Sequence, residues 1–426
     1  MERLMQFVWQ HRLGINAGTC TADGRPLRII DQGRLNTDAG PDFFNASVQI
    51  GNETWVGNVE IHVRASDWFR HHHDTDPAYD SVILHVVGHD DTPVRRKDGS
   101  VIPQIVMKCT PEAARRCNAL VDHAPMALPC ENVIRSLHPI YHTDWLTALA
   151  MERLYNKSNR ILDIVNESGG HWEGAAYVTL ARALGFGLNS QPFETLARNL
   201  PLRFLNRHHD ELITTEALVF GQAGLIPPAQ EGEDPYVERL RSEFCFMARK
   251  FGLSPLPLEW KMSRTRPQNF PHRRLALLAQ MIHHGFYLTG QLEDARTIDD
   301  LRALFDIRLI GFWANRFTFS DKGGCSPRAL SRNSLDVLVV NVAIPLLHAR
   351  ATARGDLEGM TYAAELLQQL RSEENGIVRL FTSAGIKSPD AFTSQALIEL
   401  RREYCEKKKC IYCRFGHRML SAEITG

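Results

Sequence analysis

The segment Ser81–Val87, SVILHVV, is an almost unbroken apolar, largely β-branched run with one polar side chain, His85, inside it. Such a run is the signature of a strand covered on both faces, so the chain must build a sheet with layers packed on either side. An imidazole in that strand has no water to turn to and must find a polar partner within the fold. The preceding residues read as the rest of the sheet. Apolar runs occur at Leu27–Ile30 and Phe44–Ile50, the second closed by the turn-forming pair Gly51-Asn52, and Trp55–Val63 reads as a third strand. Residues 2–13 place Leu4, Met5, Val8 and Trp9 on one side of a helix. Ser66 is suited to N-cap a short helix with Asp67 in its first turn, ending in the stretch His71–Asp76. The order is α, β, β, β, α, β, with Val101–Lys108 as a candidate edge strand.

After Pro125 the apolar residues recur at helical period, from 139–166 through 171–186, 192–199, 211–222, 235–252, 270–284, 332–350 and 358–371 to 389–404. A chain of 426 residues exceeds the usual size of one domain. The expected organisation is an α/β domain over 1–125, an α-helical domain over 126–400, and a cysteine-rich basic tail over 401–426. Lys plus Arg (49) balances Asp plus Glu (49), so no global field draws the protein to nucleic acid, and such contact requires a local basic face. The opening MERLMQFVWQHRLG fits neither a signal peptide nor a membrane span, which leads to the expectation of a cytoplasmic protein with no membrane partner. Nine cysteines, an odd number, are then expected mostly as thiols. No phosphate-binding glycine loop, dinucleotide fingerprint or GxSxG elbow stands out, which excludes the commonest nucleotide-hydrolysis, hydride-transfer and serine-hydrolase signatures.

Chemistry concentrates between Gly40 and Val87. Glu60 and His62, two apart on a strand, project to one face. Asp42 lies just ahead of the preceding strand, and the connecting hairpin brings it within reach of Glu60. Two carboxylates at one sheet edge suit Mg²⁺ or Mn²⁺ with water positions left open, and an ion there lowers the pKa of bound water. His71 or His73, with Asp76, would add ligands and shift the preference towards transition metals. His85 is expected to face the same pocket as a supporting group. Against these stand plainer roles: a solvated helix end for His71–His73, a first-turn charge for Asp67 and a core position for Trp68.

The order of elements, with Pro41-Asp42 before the second strand and Glu60-Ile61-His62 on the third, resembles the PD-(D/E)xK nuclease superfamily. That resemblance implies a restriction-endonuclease-like fold, Asp42, Glu60 and the Ile61 carbonyl as metal ligands, and metal-dependent hydrolysis of phosphodiester bonds in DNA or RNA. The lysine position of the motif is His62 here, which can serve as base or further ligand but not as a permanent cation. Over nearly its full length the chain also resembles a bacterial family of unknown function, through GPDFFNA, GNVEIHVRASDW, DPAYDSVILHVV, LVFGQAGL, RPQNFPHRR and CIYCRFG. A metal-dependent hydrolase of another substrate and a non-catalytic nucleic-acid-binding protein are the alternatives.

Cys405, Cys410 and Cys413 form a CxxxxCxxC pattern that converges on one metal once a turn forms between them. His417 is the nearest fourth ligand, with Cys130 or Cys325 in its place if the fold brings either near. A zinc knuckle or an iron–sulfur cluster fits such a set, and some PD-(D/E)xK nucleases are similar in carrying a cluster on one upstream and three C-terminal cysteines. The alternative is a set of reactive thiols beside Lys407, Lys408 and Lys409. With Arg401, Arg402, Arg414 and Arg418 these lysines make the tail basic. Together with Arg264, Arg266, Arg273 and Arg274 they are the candidates for contacting nucleic-acid phosphates, against the plainer reading of a solvated helix face. Asn269 is placed to cap the helix that carries Arg273 and Arg274.

Overall fold

The computed structural model describes residues 1–10, 12, 18–36, 39–108, 115, 128–263, 265–321, 323–324 and 328–421. The chain divides into two compact units. One comprises 1–145 with 379–387 and 398–426, the other 146–378 with 388–397. The C-terminal segment, expected as a tail of its own, therefore belongs with the N-terminal sheet.

In the first unit, helix α1 (Glu2–Gln10) precedes strands β1 (Leu27–Asp31), β2 (Arg34–Leu35), β3 (Phe43–Ile50) and β4 (Glu53–Arg64). Helix α2 (Asp67–Arg70) and a 3₁₀ turn (Pro77–Tyr79) lead to β5 (Val82–His89) and β6 (Gln104–Val106). The sheet runs β1-β3-β4-β5-β6, with β2 also paired to β3. The pairs β1·β3 and β3·β4 are antiparallel; β4·β5 and β5·β6 are parallel. The expected order thus stands with one short strand, β2, added, and the edge strand shrinks to three residues.

Period-two alternation distributes the side chains of β4. Val59 and Ile61 join Phe43, Val48, Leu84 and Val86 in a core closed by Leu4, Met5, Phe7, Val8 and Trp9 of α1. Each such side chain, fully buried, contributes roughly 1.5–3 kcal/mol. A second cluster, Ala65, Trp68, Tyr79, Val82, Val87, Val94 and Ile102, brings α2 and the 3₁₀ turn together with the Val82 and Val87 side chains of β5. β3 carries a bulge between Phe43 and Ala46, with Asn45 at φ 57°, immediately after Asp42. Bulges commonly re-aim side chains beside functional sites.

The second unit is helical around one large apolar core. The periodic stretches become Pro139–Glu167 (which starts in the first unit), Trp172–Leu184, Ser190–Asn199, Leu212–Gln222, Pro235–Phe251, Pro271–His283 and Leu357–Gln368. Short helices at Leu202–Leu205, Leu288–Asp294 and Ile298–Ala303 were not anticipated. Residues 332–354 form one helix of the length and hydropathy that can cross a bilayer, but 67% of its apolar window is buried, as in a core helix. Its π-helical turn, Val339–Ala343, comes just before Pro345, where the helix must accommodate a residue without an N–H.

Candidate metal centre

Parallel pairing of β4 and β5 sets Glu60 opposite His85 and His62 opposite Val87, so Glu60, His62 and His85 share one face. His62 Nδ1 lies 2.9 Å from His85 Nε2, with the two rings edge-on at 5.1 Å. Helix α2 then delivers two more imidazoles. It ends in a paired terminating turn: the His73 N–H donates to Trp68 O (3.0 Å) and the His72 N–H to Phe69 O (3.1 Å). His72 occupies the left-handed position, φ 62°, that such turns usually give to glycine. That reversal puts His71 and His73 on either side of it against His62. His71 Nδ1 is 3.2 Å from His62 Nε2. His73 stacks between His62 (5.3 Å) and Tyr79 (3.7 Å). Glu60 Oε1 is 3.4 Å from both His62 Nε2 and His73 Nε2.

This spacing fits an ion. Donors bound at about 2.0–2.1 Å and tetrahedral angles stand about 3.3–3.4 Å apart. Glu60 Oε1 meets that separation with two imidazoles, and one donor nitrogen from each of His62, His71 and His73 lies within 4.8 Å of the others. Burial, followed by the neighbouring imidazoles, pushes His62 down to about 2. Burial first, then His73, pushes His85 down to about 3. Both rings are therefore neutral, the form that binds metal. Burial also drives Glu60 and Asp42 up to about 8, with the Glu60 charge adding to the shift of Asp42. A divalent cation among them would reverse that preference and favour the carboxylates. His85 is fully buried, and its Nδ1 has no hydrogen-bond partner.

Asp42 is brought to Glu60, as expected, and is held there by hydrogen bonds. Its N–H donates to Glu60 Oε2 (3.0 Å), its Oδ2 accepts the Ile61 N–H (3.0 Å), and its Oδ1 accepts Gln6 Nε2 (2.8 Å). The Ile61 side chain packs in the core on the opposite face of β4. Gln6 was missed by the sequence reading because a contact 36 residues away leaves no local periodicity; Tyr79 was missed as well. Ser66 does not cap α2. It sits in helical conformation and donates from N and Oγ to Asp91, while Asp67 accepts the Arg64 N–H and pairs with Arg70.

The other candidates lie elsewhere. Cys410 and Cys413 are buried in the first unit; Cys405 and His417 are partly exposed there. Lys407, Lys408 and Lys409 are exposed, with Lys407 paired to Glu403 at 2.5 Å. Arg266 is exposed, but Arg273 and Arg274 are 4% and 1% exposed inside the second unit and so do not form an open phosphate-contacting face. Arg273 donates to the carbonyls of Trp313 and Arg316, and Arg274 lies over the Phe186 ring at 4.3 Å. Asn269 accepts from Arg274 instead of capping the helix, whose N-cap is Phe270. Arg264 and Cys325 fall outside the described residues.

A family model matches residues 2–376. The chain belongs to the family described as protein of unknown function, DUF2851. No curated protein and no solved structure matches it. The DUF2851 match contains the whole acid–imidazole centre and Cys130, whereas Cys405, Cys410 and Cys413 lie beyond it.

Proposed function

We propose that the protein is a metal-dependent hydrolase that cleaves phosphodiester bonds in nucleic acid, with Glu60, His62, His71 and His73 holding the ion. The observation that carries this reading is Glu60 Oε1 at 3.4 Å from two imidazole nitrogens, beside a third. A mixed set of three imidazoles and one carboxylate suits Mn²⁺ or Zn²⁺ better than Mg²⁺. Such an ion supplies an activated water and neutralises charge on the scissile phosphate. His85 fixes the ring of His62 through the Nδ1 contact, as outer partners of metal-bound imidazoles do. Asp42 clamps Glu60 from behind and is itself held by Gln6. With His62 engaged at both nitrogens, the motif's lysine position becomes a ligand rather than a base. The phosphodiester assignment draws on the mixed sheet and the Asp42/Glu60 pair, which suit a restriction-endonuclease-like frame.

A second reading, hydrolysis of another substrate at the same centre, is favoured by the burial of Arg273 and Arg274, which removes them from any basic face. One experiment separates the two. Single- and double-stranded DNA and RNA, and a small activated phosphodiester, are incubated with the protein in Mn²⁺, Zn²⁺ or Mg²⁺, with Glu60→Gln and His73→Ala as controls. Cleavage of a nucleic acid that both variants abolish supports the nuclease. Cleavage of the small ester alone favours the second reading, and failure to bind any of the three ions defeats both.

A further inference from the structure

Away from that centre, the first unit gathers four thiols from two distant parts of the chain. Cys130 stands at the start of the helix Glu131–Ser136 and packs against the core that contains Cys410 and Ile411. Cys410 and Cys413 are joined by a tight turn, with the Cys413 N–H donating to Cys410 O at 3.2 Å. Another turn follows Cys405, whose carbonyl accepts the Lys408 N–H at 3.1 Å, with Lys408 at φ 54°. The backbone N–H groups of Phe415 and Gly416 are directed at the Cys413 sulfur, the kind of support that outer-shell groups give a metal-bound ligand. Gly416 is required there, because a Cβ would fall 2.0 Å from Cys410 O. The four sulfurs also sense one another. Cys130 and Cys405 each lie within electrostatic reach of both Cys410 and Cys413, and of each other. The ring of His417 packs edge-on with Phe7 at 5.2 Å.

We propose that Cys130, Cys405, Cys410 and Cys413 form a four-thiolate site for a thiophilic metal, a zinc ion or an iron–sulfur cluster, with Cys130 rather than His417 as the fourth ligand. Thiolate sets of this kind are closed structural centres for zinc and equally the ligand set of iron–sulfur clusters. The site ties the C-terminal segment to the core under α1. From α1, Phe7 reaches His417 and Gln6 reaches Asp42. The cysteine site thus positions a helix that supports the acid–imidazole centre, although its own existence does not depend on what that centre does.

The test is elemental analysis and absorption spectroscopy of the full chain purified without oxygen. Wild type should hold about one zinc, or about four iron with a broad visible band, per chain. Cys130→Ser should lose at least nine tenths of that metal and His417→Ala should keep it. An absence of zinc and iron in the wild type, or metal kept by Cys130→Ser and lost from His417→Ala, overturns the proposal. Because a cysteine variant can fail to fold, the wild type is also titrated with an organomercurial. Metal should leave in step with modification of four thiols, and metal released with no thiol modified overturns the assignment. Ions held by Glu60, His62, His71 and His73 do not respond to a mercurial, so this result is independent of the hydrolase reading.

Discussion

Replacing His85 by leucine separates support of a metal ligand from packing. The imidazole is fully buried, accepts or donates one 2.9 Å contact to His62, and leaves Nδ1 without a partner. Losing the contact costs about 1 kcal/mol, while removing the orphaned polar atom returns about 1–3 kcal/mol. Leucine fills a similar volume, so the metal-free protein should unfold at the same denaturant concentration or a higher one. The metal should respond differently. Loss of an outer partner of a metal-bound imidazole typically weakens affinity 10–100-fold, about 1.4–2.8 kcal/mol. Competition against a chromophoric chelator measures the affinity for Mn²⁺ or Zn²⁺, and urea unfolding in a chelator measures the apoprotein. Unchanged affinity combined with a metal-free protein destabilised by more than about 3 kcal/mol would make His85 a packing residue and refute the support role.

Three further outcomes are expected. His72→Gly relieves a left-handed residue at φ 62°, a conformation costing about 1–2 kcal/mol, against about 0.5–1 kcal/mol of added glycine entropy, so urea unfolding should show a gain of up to about 1.5 kcal/mol; a loss would mean that the His72 side chain is itself engaged. Glu216, 5% exposed and bonded to the Tyr236 hydroxyl, is pushed up from 4.5 to about 7 by burial, so its stabilising contribution is complete below about pH 4.5 and is lost as pH rises through about 7, by up to about 3 kcal/mol; Glu216→Gln should flatten that slope, and parallel stability profiles for variant and wild type would disprove it. Gly57→Ala would set a Cβ 2.4 Å from Ile83 Cγ2 and 2.6 Å from Ser81 O, an overpacking that should lower stability by about 1–3 kcal/mol in thermal unfolding; wild-type stability would show that the β4–β5 junction yields.

What the sequence disclosed follows the range of the interactions involved. The run SVILHVV and the spacing of Glu60 and His62 are local, and strand alternation turns them directly into a buried β5 and a shared face. The same alternation, with the hairpin, brought Asp42 to Glu60. The helical stretches were legible for the same reason, whereas helices as short as Leu202–Leu205 carry too few turns to show a period. Interactions between distant segments were not legible. Ser66 looks like a cap until Asp91, 25 residues away, takes its hydrogen bonds. Arg273 and Arg274 look like a basic face because charge is normally solvated; their burial depends on carbonyls some 40 residues ahead and on the Phe186 ring. Cys130 is far from the other cysteines in sequence, and only packing shows that it lies against the core that contains Cys410.

The charge balance of the acid–imidazole centre supports the proposed binding role over a purely structural one. Structural polar clusters in cores usually pair opposite charges or fill every hydrogen-bonding position. Here, among the described residues, no Lys or Arg is hydrogen-bonded or ion-paired to Glu60, and burial drives both carboxylates towards protonation and both buried imidazoles towards neutrality. Each shift opposes charge, so without a cation the cluster gains little from ionising, while His72 holds a left-handed conformation to keep two imidazoles in place. Strain and desolvation of this kind persist where binding compensates for them. One divalent ion would do so, drawing protons from Glu60 and using the neutral nitrogens as they stand.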